Sequence, residues 1–100
     1  MPRRSPSARP LNAALPLRDG RRLGYSVIGQ DSGRTVLYLH GNPGSRMEML
    51  RPDYVAAIGA AGLRVIAIDR PGYGDSDAPT EPGHLPFVTD VRELMDELGV

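Results

Sequence analysis

Apolar and polar positions alternate along the first third of the chain and then merge into continuous apolar runs. Leu23, Tyr25 and Val27 alternate with Arg22, Gly24 and Ser26, the period of a half-buried strand. A shorter strand is expected over Leu11 to Leu17, and Arg18-Asp19-Gly20-Arg21 supplies an Asp-Gly turn joining the two into a hairpin at a sheet edge. Gln30-Asp31-Ser32-Gly33 breaks the second strand. Thr35 to Leu39 and Arg64 to Ile68 then read as unbroken apolar strands.

Between those two strands, Arg46 to Ala61 has helical character, with Met49 to Arg51 as an irregular lead-in. Pro52 suits a first-turn position, Asp53 favours the positive end of the helix dipole, and Gly62 suits the stop. Tyr54, Val55, Ile58 and Ala61 recur every three or four residues, so that face is expected to pack on the sheet. Strand, helix and strand in this order predict a right-handed crossover with parallel strands, both covered. A proline-rich loop follows from Ala78 to Pro86. From Phe87, a second helix places Val88, Val91, Leu94, Met95 and Leu98 on one side and Asp90, Arg92, Glu93, Asp96 and Glu97 on the other, ending at Gly99. Met1 to Pro10 has no periodicity and is expected to be a disordered tail ahead of a single unit over residues 11–100.

Composition narrows the function classes. One hundred residues suffice for one small domain, which buries something over ~60% of its unfolded surface. Twelve basic residues balance twelve acidic ones, which gives no electrostatic footprint for nucleic acid or an anionic membrane. Cysteine is absent, so no disulfide, thiolate nucleophile or sulfur-ligated metal is available. No apolar run approaches the ~18 residues of a membrane span, and no apolar core follows the N-terminal arginines as in a secretory signal. A cytoplasmic location is the default expectation.

Both apolar strands end in glycine-rich loops: His40-Gly41-Asn42-Pro43-Gly44-Ser45 after the first, and Asp69-Arg70-Pro71-Gly72-Tyr73-Gly74-Asp75-Ser76-Asp77 after the second. The pair, in this order and separated by one helix, resembles the N-terminal part of the α/β-hydrolase family over about Leu15 to Val100. That resemblance implies an α/β fold with an antiparallel hairpin, then parallel strands with covering helices, and a sheet left incomplete. It also implies that the backbone N–H of Asn42 points at an oxyanion, with a second donor contributed by the residue after a nucleophile. Gly41 and Gly44 are expected to let the backbone approach a ligand and reach dihedrals that a Cβ forbids, while Pro43 fixes φ. The plain alternative is that these residues only turn the chain.

His40 is implied to brace its loop rather than act as a base. Asp69, at a strand end, suits a nucleophile, a base or a brace, and the resemblance favours the brace. Arg70 is expected to pair with a nearby acid, Pro71 and Gly72 to set the turn with Gly74, and Ser76 to hydrogen bond locally. His84 reads as a solvated side chain, and the two histidines do not make a metal site. Neither Ser45 nor Ser76 lies in a Gly-x-Ser-x-Gly elbow, and no such elbow occurs in the 100 residues. A nucleophile needs a base and an orienting acid, so the chain alone is expected to be inactive, an N-terminal fragment holding one half of an oxyanion hole. No cofactor or metal is implied.

The resemblance implies a serine-type hydrolase of ester- or amide-like, small-molecule substrates in a full-length form. His-Gly-Asn-Pro is also similar to the loop of haloalkane dehalogenases, and epoxide hydrolases carry a related one; both use an Asp nucleophile. Outside enzymes, the alternative is a non-catalytic remnant or interaction module. Without a further strand beside Thr35 to Leu39, the sheet keeps an open edge, which lowers stability and offers a route to self-association. A dinucleotide-binding unit fits the crossover but lacks Gly-x-Gly-x-x-Gly after a strand.

Overall fold

The computed structural model, which describes residues 9–30, 33–41, 44–79 and 85–100, pairs the expected strands into one sheet. Strand β1 (Leu11–Pro16) lies antiparallel to β2 (Arg22–Gly29), and β2 lies antiparallel to β4 (Leu63–Ile68). β4 in turn lies parallel to β3 (Arg34–Leu39), so the order across the sheet is β1-β2-β4-β3. Gly20, at φ 91°, takes the left-handed position of the β1–β2 turn, where a side chain would be strained.

The single helix expected over Arg46 to Ala61 is split. A 3-10 turn covers Arg46–Leu50, Arg51 turns to ψ 136°, and helix α1 covers Pro52–Ala60. The break follows from Pro52, whose ring keeps the preceding residue out of the helical region. Ser45 caps the 3-10 turn in a Ser-x-x-Glu box, its hydroxyl accepting from Met47 N while Glu48 accepts from Ser45 N. Helix α2 covers Leu85–Leu98 and ends at Gly99, with φ 73°.

Two apolar layers sandwich the sheet. On one side Leu17, Leu23, Tyr25, Val27, Ile66 and Ile68 pack with Phe87 and Leu94 of α2. On the other, Ile28, Val65 and Ile58 of α1 form a smaller cluster with Tyr38 and Val55 beside it. Only Ile58 and Val55 of the expected α1 face reach that cluster, while Tyr54 and Ala61 remain exposed. Short α1, starting only at Pro52, covers less of the sheet than a helix begun at Arg46 would.

Three burial expectations need correction. β2, read as half-buried, is buried on both faces from Leu23 to Gly29, because it lies inside the sheet and its Ser26 side is roofed by a guanidinium described below. β3, read as covered, is the edge strand, with Val36, Leu37 and Leu39 each about 40% exposed. On α2, Val88 is exposed, whereas Asp90, placed among the solvated charges, is buried.

Asp90 is buried because it receives a two-pronged bond from Arg21: Nη1 to Oδ2 at 3.1 Å and Nη2 to Oδ1 at 2.8 Å. Arg21 also donates through Nε to Asp19 at 2.8 Å, so the β1–β2 turn is tied to the helix. Hydrogen bonding to Asp90, then to Asp19, pushes the guanidinium pKa still further above its ordinary value. No helix among the described residues is long and apolar enough to cross a membrane.

Because Asp90→Ala would leave the largely buried Arg21 guanidinium with only the exposed Asp19 carboxylate, it is expected to destabilise the fold by about 2 kcal/mol. Urea unfolding checks it. The double variant Arg21→Met, Asp90→Leu should recover most of the loss, and an unchanged midpoint in the single variant would remove this tether from the account.

Candidate functional site

Parallel pairing of β3 with β4 sets Leu39 beside Ile68, so the chain leaves both strands side by side and the two glycine-rich loops share one end of the sheet. His40 and Asp69, the first residues past each strand, are both fully buried. A buried polar side chain must find partners, and the two find them in each other's loops.

His40 Nε2 accepts from the backbone N–H of Arg70 at 2.9 Å. An amide can only donate, so Nδ1 carries the proton and gives it to the Gly41 carbonyl at 2.7 Å. Both ring nitrogens are therefore engaged, and Tyr73 packs against the ring at 5.3 Å between centroids. Among the described residues Arg70 bonds no acid. Its Nε donates to the His40 carbonyl at 2.7 Å, and its guanidinium lies 5.4 Å from the Phe87 ring centre.

Asp69 faces a side chain that sequence reading passed over as a helix start. Arg46, 5% exposed, donates its backbone N–H to Asp69 Oδ1 at 2.7 Å and its Nη1 to Oδ2. Its Nε reaches Ser26 Oγ at 2.8 Å and its Nη2 reaches Asp75 Oδ2 at 2.9 Å. Asp75 N closes the circuit on Asp69 Oδ2 at 3.0 Å. Ser26 passes its own proton to Asn12 Oδ1 at 2.5 Å, which carries the network out to β1.

Ser76 works locally and at a distance. Its hydroxyl donates to the Asp69 carbonyl at 2.8 Å and accepts from Gly24 N of β2 at 2.9 Å. Asp77 then accepts from Arg22 N at 2.7 Å and from its guanidinium at 3.2 Å. A hydrogen bond from the Arg22 side chain is the main cause holding the Asp77 carboxyl below its ordinary value of 3.8.

Glycine conformation separates the two loops. Gly72 and Gly74 adopt φ 83° and 51°, and a Cβ on Gly74 would collide with the Asp69 carboxylate. Neither Gly41 nor Gly44 has positive φ, contrary to expectation. Gly41 has open space around it, while a Cβ on Gly44 would meet Glu48 and the Gly41 carbonyl. Asn42, Pro43 and His84 lie outside the described residues.

Neither Ser45 nor Ser76 faces a base among the described residues. Ser45 Oγ accepts a cap bond and Ser76 Oγ is held between two backbone groups, while both His40 nitrogens are engaged. No cluster of three or more potential metal ligands occurs among these residues either.

Residues 36–100 match the family model described as "Alpha/beta hydrolase family". Over 81 residues the chain is 38% identical to epoxide hydrolase 1 of Siraitia grosvenorii, an alignment covering 74% of this chain and 24% of that protein. Over 60 residues it is 37% identical to lysophosphatidylserine lipase ABHD12 of Danio rerio, covering 59% of this chain and 16% of the lipase. In three dimensions it matches the crystal structure of epoxide hydrolase VrEH1 from Vigna radiata with a TM-score of 0.74 at 28% identity. That superposition covers 92% of this chain and 30% of VrEH1. The chain thus spans about a quarter of the length of the first curated relatives it matches.

Two outcomes follow from this geometry. Arg46→Met, which leaves the buried Asp69 carboxylate with backbone donors alone, is expected to destabilise by about 3 kcal/mol in urea unfolding. Depression of the Asp77 pKa means that its contribution is present above the unfolded value of 3.8 and is lost as pH falls through the lower folded one. Asp77→Asn should therefore flatten the fall of the thermal midpoint below about pH 4; an acid limb as steep as the parent's would exclude the pair as its source.

Proposed function

The chain belongs to the alpha/beta hydrolase family, and we propose that it forms the N-terminal sheet and the oxyanion-binding loop of a hydrolase of the epoxide hydrolase kind. The observation supporting this most directly is the 38% identity to an epoxide hydrolase across 74% of the chain, and both loops lie within the residues 36–100 that match the family model. Water-dependent opening of an epoxide places negative charge on an oxygen, as does hydrolysis of the ester intermediate that an Asp nucleophile forms. A backbone N–H fixed where that charge develops typically contributes ~100-fold or more to the rate.

In this reading the Asn42 N–H is that donor. The described residues on either side of it are held by His40 and Arg70 at Gly41, and by Asp69 on the Arg46 backbone. Loop-shaping roles fall to Gly41, Pro43 and Gly44 on one side and to Gly72 and Gly74 on the other. The reading also needs an Asp nucleophile with an acid and a base, none of which it assigns within these 100 residues. By itself the 100-residue chain is inert toward epoxides and esters.

A serine-type esterase or lipase is the second reading. Gly44-Ser45-Arg46, the Arg-Pro-Gly-Tyr-Gly sequence and the relation to the lysophosphatidylserine lipase favour it. The two differ in the nucleophile, and hence in whether an alkyl epoxide or an acyl ester is consumed.

A tag ahead of Leu11 would recover the polypeptide that the source cell makes, for assay with an aryl epoxide and with a p-nitrophenyl ester. A product heavier than 10.8 kDa that opens the epoxide, and loses about 100-fold in rate on Asn42→Pro, is the expected outcome. Ester turnover without epoxide turnover selects the second reading. A 10.8 kDa product that hydrolyses neither sinks both.

A further inference from the structure

Asp19-Gly20 is the one place in the 100 residues where an aspartate or asparagine precedes glycine. Such a pair can cyclise, because glycine carries no side chain to shield its amide nitrogen from the carboxyl before it. The nitrogen attacks Cγ, a C–N bond forms, and the carboxyl hydroxyl leaves as water with the amide proton. Water then reopens the five-membered imide at either carbonyl. Opening at the former backbone carbonyl gives isoaspartate, with the old side-chain carbon now in the main chain.

In the fold both partners in that reaction are occupied. The Gly20 N–H donates to the Leu17 carbonyl at 3.0 Å, which holds the proton that cyclisation must release. Asp19 Oδ1 accepts from the Arg21 N–H at 3.1 Å, and Oδ2 accepts from Arg21 Nε at 2.8 Å. The bond from the Arg21 side chain, then that from its backbone, hold the carboxyl below its ordinary value of 3.8. An ionised carboxylate has no hydroxyl to lose. Arg21 is itself anchored: its side chain is 11% exposed, and both Nη atoms bond Asp90 of α2. Steric cover, by contrast, is slight. The Asp19 side chain is 44% exposed, and a Cβ added at Gly20 would meet no atom within 4 Å.

We propose that Asp19-Gly20 is a latent isoaspartate-forming site, kept closed by the Arg21 guanidinium that Asp90 holds in place. The guard lasts only as long as α2 stays docked on the β1–β2 turn. When α2 lifts, Arg21 loses the anchor that aims its Nε, and the Asp19 carboxyl is free to take up a proton and turn toward the Gly20 nitrogen. Conversion lengthens the main chain by one carbon inside the turn that sets Leu15 beside Leu23 and Pro16 beside Arg22. It also displaces the carboxylate from Arg21, which weakens the tether to Asp90. Damage at the turn therefore favours the opening that permits it.

Ageing the 100-residue chain at physiological temperature and neutral pH tests the guard. Isoaspartate is counted with an isoaspartate-specific methyltransferase and a labelled methyl donor, and located by peptide mapping. The native chain is expected to convert at Asp19 far more slowly than the same chain unfolded in guanidinium chloride. Arg21→Met combined with Asp90→Leu, which removes the guard and its buried partner together, should convert several-fold faster than the parent. Asp19→Glu, whose cyclisation needs a six-membered ring, should give no signal there. Val27→Ala, which weakens the core away from the turn, should age no faster than the parent. A native chain as fast as the unfolded one, a guard variant no faster than the parent, or a Val27→Ala rate equal to that of the guard variant would each overturn the proposal.

Discussion

Asp69 holds a carboxylate where water cannot reach it, and most of this small structure is arranged around answering it. Removing such a group from water costs several kcal/mol, and a single opposite charge in poor geometry would not offset that. Here the answer is redundant: two backbone amides, from Arg46 and Asp75, and one guanidinium converge on its two oxygens. The donors come from two places in the chain, Arg46 and Asp75, so the charge cannot be satisfied unless β4, the 3-10 turn and the 69–77 loop are all in position. A buried pair of this kind is weak evidence for stability by itself. Its strength lies in the number of wrong arrangements it forbids, since any of them would leave the charge bare.

The same demand explains small residues that look incidental in the sequence. Gly24 sits in the middle of β2, where glycine weakens a strand, yet a Cβ there would meet Asp75 and the Asp69 carboxylate. Gly74 is confined by the same carboxylate from the loop side, and by its positive φ. Ser26, on the face where an apolar residue would serve a β-strand better, is there to hold Arg46 Nε. Three apparent defects in local propensity are thus one polar network seen from three directions.

How much of this was legible follows from the range over which each signal acts. Strands, the hairpin turn, the parallel crossover and α2 were readable because periodicity and turn residues are local. The split at Arg51 was half legible, since Pro52 was recognised as a first-turn residue but the helix was still begun at Arg46. Ser45-x-x-Glu48 spelled out a capping box that reading for chemistry overlooked. Asp90 could not be placed, because its charge grouped it with Arg92, Glu93, Asp96 and Glu97 although Leu94 at i+4 lies in the core, and its partner Arg21 is 69 residues away. Arg46 was missed for the same reason. An arginine beside a glycine-rich loop looks like a surface charge until the fold brings an aspartate under it.

What the two loops share is an asymmetry between support and chemistry. Residues that hold the loops, His40, Asp69, Arg46 and Ser76, spend their polar atoms on backbone groups and on one another. Each is buried with its polar side-chain atoms already hydrogen-bonded, so the side chains that look most reactive in the sequence are the least available in the fold. A loop so braced can still present backbone N–H groups, which need no activation and no proton transfer to stabilise an anion. Among the described residues, rigid support without a side-chain nucleophile is the arrangement that the proposed oxyanion-binding role calls for.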